Sequence, residues 1–361
     1  MEYWMGIDLG GTKIRAGAVD RNGTVAALRE SYTKDAADAD MLREQIIAMG
    51  SRIMEEYPIQ GAGMCFPGVI MADKTLQHAT NLPGGMLAPE FITSIEHVWN
   101  IPVFVENDAN AAAFGEHIHG CKGNVESMYY VTISTGIGGG YIWKGNIIQG
   151  YQGFAGEVGS ILVEEGDRSF RGLAPGAAEG CASGSAVLEQ GKKGISPRIN
   201  DAGEVFRLAA LGDDRAREIV DRMTTGLARM FAAISMVINP QVFVLGGGCM
   251  KSSDLFLDEV VHKYKALVPE AVQDILFKPA CLEEPGIVGC AEIARARLSG
   301  QAKAKAGTEQ AGAKQVSTVR GRSGQHRPEK SRSVLPVQIR PGDAAFPGQI
   351  PGNGGGVASS W

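Results

Sequence analysis

Short apolar runs alternate along the chain with longer stretches of helical spacing. Tyr3–Asp8 is a run of the first kind, ends at a Gly-Gly turn and reads as a buried strand. Arg15–Val19 and Val25–Ser31 read as the next two strands, joined by a hairpin turn over Asp20–Gly23. Met41–Tyr57 has the spacing of a helix and is closed by Pro58. Gly61–Phe66 and Pro102–Glu106 are again strands, and Asp108–His117 is an Ala-rich helix. Met128–Ile133 and Gly139–Trp143 predict two strands around a glycine turn. Gly203–Leu211 and Asp214–Asn239 predict helices, the second long and amphipathic. Gln241–Leu245 is a buried strand opening into three glycines, and Gly286–Leu298 is the last helix. Strands alternating with helices define an α/β protein. Glycine turns recur at strand ends near residues 10, 136 and 246, the weak internal similarity of a duplicated fold holding nucleotide between two lobes.

Composition changes this picture in three ways. Hydrophobic residues are 44% of 361, enough for a large core, and the length suits two domains. The six cysteines are scattered without a CxxC pair, so neither a disulfide framework nor a zinc ribbon is indicated and a reducing cytoplasm fits best. No apolar stretch is long enough to span a membrane, and Asp8 arrives before any apolar leader region could form. The net charge of −5 is unevenly spread: residues 301–361 carry +6, leaving −11 on residues 1–300. An acidic body disfavours nucleic acid as partner. The tail lacks an apolar periodicity and is broken by prolines, so it is expected to be disordered and dispensable.

Four short motifs carry candidate chemistry. In Asp8-Leu-Gly10-Gly11-Thr12-Lys13 the glycines let backbone N–H groups approach an anion, Thr12 adds a hydroxyl, and Asp8 could orient the water shell of a Mg²⁺ ion. A hairpin turn with a solvated lysine explains the same residues. Thr135-Gly136-Ile-Gly138-Gly139-Gly140 follows an apolar strand and makes a second phosphate cradle; the competing reading is a tight hairpin with a close backbone crossing. Paired, the two loops favour phosphate. Gly246-Gly247-Gly248 offers bare backbone to a flat group such as adenine, a weak signal on its own. Asn107-Asp108 is either a plain N-cap or places Asp108 at a strand's carboxyl end as base toward a substrate hydroxyl, with the helix terminus lowering its pKa and making it a weak base.

The order of motifs resembles the ROK family of sugar kinases and repressors. The motifs are DLGGTK, FPG (Phe66–Gly68), NLPG (Asn81–Gly84), ENDANAAAFGE (Glu106–Glu116), STGIGGG (Ser134–Gly140), AGEVG (Ala155–Gly159), EGCASG (Glu179–Gly184) and LGGG (Leu245–Gly248). The resemblance implies the actin-like ATPase (ribonuclease H-like) fold with a ligand cleft between two lobes. One lobe would comprise residues 1–117 completed by the helix 286–300, the other residues 118–285. It implies phosphorylation of a hexose hydroxyl, O6 in a glucokinase-like enzyme, by Mg-ATP. Allose, mannose, fructose or an N-acetylhexosamine are alternative acceptors. Asp108 matches the catalytic aspartate; Gly68, Asn81, Asn107, Glu157 and Glu179 match the sugar site. Gly10, Gly11, Thr12, Lys13, Thr135, Gly136 and Gly138 match the phosphate loops, Gly246, Gly247 and Gly248 the adenosine loop. A cytoplasmic homodimer without membrane or nucleic-acid partners is expected.

The sequence also departs from the family pattern. Many members carry His after the AGE-x-G segment and three cysteines before the second glutamate, forming a zinc site. Here Ser160, Phe170, Gly172 and Ala177 hold those positions, so no zinc site is expected. His117 and His119 read as a solvated helix C-terminus favoured by the dipole. A regulator of the same family would carry a DNA-binding module ahead of the body, and only seven residues precede Asp8. A sugar sensor without catalysis has Ser160 in its favour; Asp108 and both phosphate loops speak against it.

Overall fold

A computed structural model describes residues 1–70, 76–77, 89–167 and 169–300, the side chains of 76, 77 and 89 excepted. Asn81 and the expected disordered tail therefore lie outside the described residues. The described residues form one compact unit. In chain order the first half contains β1 (Tyr3–Leu9), β2 (Lys13–Asp20), β3 (Val25–Tyr32), α1 (Ala39–Glu56), β4 (Ile59–Phe66), β5 (Val69–Ile70), β6 (Leu76–Gln77), α2 (Pro89–Trp99), β7 (Val103–Asn107) and α3 (Asp108–Gly115). A π-helical turn, Glu116–Gly120, leads into the second half. There follow β8 (Ser127–Ile133), β9 (Ile137–Trp143), β10 (Asn146–Ile147), α4 (Ala178–Ala182), α5 (Gly184–Gly194), α6 (Ala202–Ala210), α7 (Asp214–Val237), β11 (Val242–Gly246), α8 (Leu257–Leu267) and β12 (Leu276–Pro279). A last helix, α9, covers residues 285–300.

Both five-stranded sheets follow one plan. The first has the order β3-β2-β1-β4-β7 and the second β10-β9-β8-β11-β12. In each, three antiparallel strands are extended by two parallel ones added through helical crossovers. That repetition is the structural counterpart of the recurring glycine turns. Among the described residues no helix is long and apolar enough to cross a membrane.

Local sequence explains the helices that frame the sheets. Asp38 caps α1 by accepting from the Met41 N–H at 2.9 Å, and Leu42, Ile46, Gly50 and Ile53 face the core at helical spacing. Asp213 caps α7 in the same way, and its buried face runs from Ala216 through Met223 and Phe231 to Ile234. The final helix α9 is set unusually deep. Ile287, Val288, Ala291 and Ala294 pack with Trp4 and Val19 of the first sheet. A Cβ on Gly6 would lie 1.8 Å from the Ile287 carbonyl oxygen, and one on Gly63 would lie 2.0 Å from that of Cys290. Only a hydrogen side chain allows this approach.

The expected elements are present with ends shifted by a few residues, and eight helices or strands among the described residues add to them. These are β5, β6, α2, β10, α4, α5, α8 and β12. One expectation fails: His117 and His119 are not solvated. His117 is 3% exposed, and burial lowers its pKa, the opposite of a dipole-stabilised cation. The His119 Nε2 lies 3.0 Å from Glu292 Oε1 of α9. The helix end that looks free in sequence is covered by α9 and by the β2–β3 turn, where a Cβ on Gly23 would come within 2.7 Å of the His119 ring.

Candidate active site

The parallel strands of the first sheet bring two acids to their carboxyl-terminal end. Register pairs Asp8 on β1 with Cys65 on β4, and Cys65 with Glu106 on β7. Asp108 follows two residues later at the first position of α3, near enough for the charge of Asp8 to act on it. The turn that holds it is braced on both sides. The Asn107 side chain accepts from the Asn110 N–H at 2.9 Å and donates to the Gly68 carbonyl at 2.9 Å. Asn107 is thus an N-cap, and it also joins Gly68 to the turn that carries Asp108.

The electrostatics correct the expectation of a weak base. Burial, then the charge of Asp8 and that of Glu157, outweigh the N-terminal dipole and the Ala109 N–H, and raise the pKa of Asp108 from 3.8 to about 7. Asp8 is also raised by burial, although the Cys65 thiol donates to its Oδ1 at 3.4 Å and Arg15 lies nearby. The charge of Asp8 thus acts on Asp108, and a cation beside the two acids would relieve it. The field of Glu157 at Asp108 places that exposed acid near the same turn.

The first glycine turn is closed by the Gly10 N–H donating to the Lys13 carbonyl at 2.8 Å. It is pinned from outside by Thr33, a buried residue the sequence reading passed over. The Thr33 hydroxyl donates to the Gly10 carbonyl at 2.7 Å and its N–H to the Thr12 carbonyl at 2.9 Å. Gly11 and Thr12 are left exposed at the tip. The Lys13 ammonium lies 2.7 Å from Glu30 and over the Tyr32 ring. Residues alternate across β2, and Lys13 points along the hairpin toward β3.

The second glycine run divides between two jobs. Thr135 and Gly136 form the β8–β9 turn, whereas Gly138, Gly139 and Gly140 lie within β9. A Cβ on Gly140 would meet the Ala113 Cβ at 2.7 Å and the Ala109 carbonyl at 2.9 Å; Gly138 faces the Ala109 Cβ at 3.5 Å. These glycines let α3 lie on the strand, so the close backbone crossing is realised beyond Gly136. Glu179 is held against the turn, its Oε2 accepting from the Ile137 N–H at 2.8 Å. The third run meets the second: a Cβ on Gly247 (φ +91°) would lie 2.5 Å from the Ile133 carbonyl oxygen, and Gly246 abuts Tyr130. Gly248 is the one with space, its nearest neighbour being Ser134 Oγ at 3.6 Å.

The segment from Glu157 to Glu179 is fastened by arginines of α7. Arg222 makes a forked ion pair with Glu164, with Nε 3.0 Å from Oε2, and the Arg229 guanidinium donates to the Val163 carbonyl at 2.7 Å. Ser160 is exposed, and Phe170 and Ala177 take part in short β-bridges. Cys181 belongs to the core, and burial pushes its thiol up to about 11. Among the described residues no cluster of His, Cys, Asp and Glu has the form of a metal site.

The sequence pattern of the ROK family matches residues 4–297, and the chain belongs to that family. It is 28% identical over 291 residues to an N-acetylmannosamine kinase of Escherichia fergusonii, covering 81% of this chain and 98% of the relative. Among solved structures, the ROK hexokinase of Thermus thermophilus superposes with a TM-score of 0.74 at 28% identity, over 82% of this chain and 99% of that one. A ROK glucokinase from Streptomyces griseus, solved with glucose and AMPPNP, gives a TM-score of 0.69 at 26% identity over 81% and 99%. The fold of the described body is the actin-like ATPase fold of ROK sugar kinases.

Proposed function

We propose that this protein is an ATP-dependent sugar kinase that transfers the γ-phosphoryl group of ATP to a hexose hydroxyl, O6 in the leading reading. The reading is carried by Asp108, a carboxylate whose pKa is raised to about 7 at the head of a braced turn, beside Asp8 and Glu157. A base of that strength is half ionised at neutral pH and can take the proton of an attacking hydroxyl. Phosphoryl transfer through a loose transition state depends chiefly on positioning and charge stabilisation. Gly10, Gly11 and Thr12 with Thr135 and Gly136 hold the phosphates, and Gly248 with its neighbours faces the adenosine. Gly68, Asn107, Glu157 and Glu179 line the sugar, Asn107 keeping Gly68 in register with the base. Mg²⁺ suits the Asp8–Asp108 pair and, when bound, neutralises charge on the transferred phosphate; Asp8 would hold it through water. The cleft belongs between a lobe of residues 1–117 completed by α9 and a lobe of residues 118–285. Kinases for other hexoses or N-acetylhexosamines share this scheme, the relatives above being named for N-acetylmannosamine and for glucose.

The test is a coupled assay of ADP release across glucose, mannose, allose, fructose and N-acetylhexosamines, with sugar binding measured in parallel. Sugar-dependent ADP release establishes the activity and ranks the substrates. Sugar binding without ADP release would replace the kinase by a sensor.

A further inference from the structure

The carboxylate next to the catalytic turn is not aimed at the site. Glu106, the last residue but one of β7, is 1% exposed and sits directly before Asn107 and Asp108. Its Oε1 accepts from the Asn107 N–H at 3.1 Å and from the Asn110 side-chain amide at 3.1 Å. Gln149, more than forty residues on in the loop after β10, points its Nε2 at both oxygens, at 2.8 and 2.7 Å. Arg297 of α9 lies 3.4 Å from Oε2. A carboxylate offers about four acceptor positions, and these donors occupy them.

Gln149 opens the loop that ends at Glu157. Its own carbonyl accepts from the Ala155 N–H at 3.0 Å, closing the loop on itself. Between them Gly150 and Gly153 take left-handed backbone angles of +75° and +82°. Such residues lose the most freedom on ordering, so the loop depends on a firm anchor at its base. Its contacts include close backbone approaches: a Cβ on Gly153 would lie 2.4 Å from the Ile70 carbonyl, and one on Gly156 would lie 2.4 Å from that of Gly139. The Gln149–Glu106 pair is a side-chain link from this loop to the turn that carries Asp108.

We infer that Glu106 and Gln149 are positioning residues that tie the loop bearing Glu157 to the catalytic turn, so that the sugar-gripping acid and the base keep a fixed separation. The inference rests on the sugar-kinase reading and names two residues outside the motif positions assigned to the substrate. Because Asp108 keeps its own brace through Asn107, loss of Gln149 should loosen the sugar side first.

The experiment compares Gln149→Ala, Glu106→Gln and the exchanged pair Glu106→Gln/Gln149→Glu. Gln149→Ala is expected to raise the sugar KM by about tenfold with kcat within about threefold and the ATP KM unchanged. Glu106→Gln should act in the same direction, and the exchanged pair, which restores a donor facing an acceptor, should recover most of the loss. A second readout needs no turnover: amide exchange across residues 150–157 in the sugar-free protein should speed up in Gln149→Ala and slow again in the exchanged pair. A sugar KM within about twofold of wild type in Gln149→Ala, an equal change in the ATP KM, or unchanged exchange at 150–157 would each overturn the proposal. Wild-type protein without sugar-dependent ADP release would instead overturn the kinase reading, with the exchange experiment still deciding the role of Gln149.

Discussion

Two glycine runs that look alike as letters do opposite work. In the first, Gly10 and Gly11 form a tight turn with an exposed tip, backed by Thr33. In the second, Gly138 and Gly140 lie inside a strand and are filled over by α3, with Gly140 in contact with Ala113 and the Ala109 backbone. One run leaves backbone open to a ligand; the other lets the helix headed by Asp108 settle against the second sheet. The lesson is that glycine density marks close approach, and the approaching partner can be an anion or another piece of the chain.

The comparison is sharpened most by a variant that removes chemistry and leaves packing alone. Asp108→Asn keeps the cap geometry and should lower kcat by on the order of 10²–10⁴ with sugar affinity little changed. In the wild type the same base must be deprotonated, so kcat should climb about tenfold per pH unit on the acid side and level off near pH 7. Stability moves the other way. A carboxyl whose folded pKa is raised contributes stability at low pH that is lost as pH rises through the folded value. The apoprotein with Asp108→Asn should therefore melt above wild type at about pH 8, with the gap closing toward about pH 4. A kcat that survives Asp108→Asn removes the residue from its role.

Next in size is a packing change. Gly140→Ala should cost about 1–3 kcal/mol, read as a lower Tm, because the new methyl meets both a methyl and a backbone carbonyl. A Tm equal to wild type would mean α3 does not rest on β9 as described. A smaller effect is expected of Thr33→Val, about 1 kcal/mol from a lost hydrogen bond, with the ATP KM rising severalfold and the sugar KM constant. Equal changes in both constants would detach Thr33 from the first turn. The smallest effect belongs to Lys13→Met. With its ammonium already on Glu30, the ATP KM should stay within about twofold of wild type. A rise of an order of magnitude would return Lys13 to the phosphates.

Elements whose pattern is carried by their own residues were readable in the sequence. The strands of the first sheet and the amphipathic α7 follow from apolar periodicity, and Asp108 stands out by its motif. Helix α5, Gly184–Gly194, is obscured by glycines at both ends and at Gly191, which is there because Val205 packs against it: a Cβ would lie 2.6 Å from a methyl of that side chain. The strength of Asp108 as a base could not be read locally, because Asp8 and Glu157, which raise it, come from a hundred residues before and about fifty after. The partner of His119, Glu292, likewise comes from α9. Long-range partners decide all three, and single-sequence periodicity carries no record of them.

The glycine-backed seat of α9 also bears on how the chain is made. The first sheet ends at Asn107, yet the helix that presses on Gly6 and Gly63 begins at residue 285, 178 residues later. At a synthesis rate of 5–20 residues per second, the N-terminal half waits roughly 10–40 s on the ribosome with one face of its sheet uncovered. For that interval Trp4, Val19 and the glycine backbone lack the helix that covers them in the finished molecule. The nascent protein is therefore open to chaperones and to premature association until its last described helix emerges, and a chain stalled before residue 285 would be sticky rather than merely short.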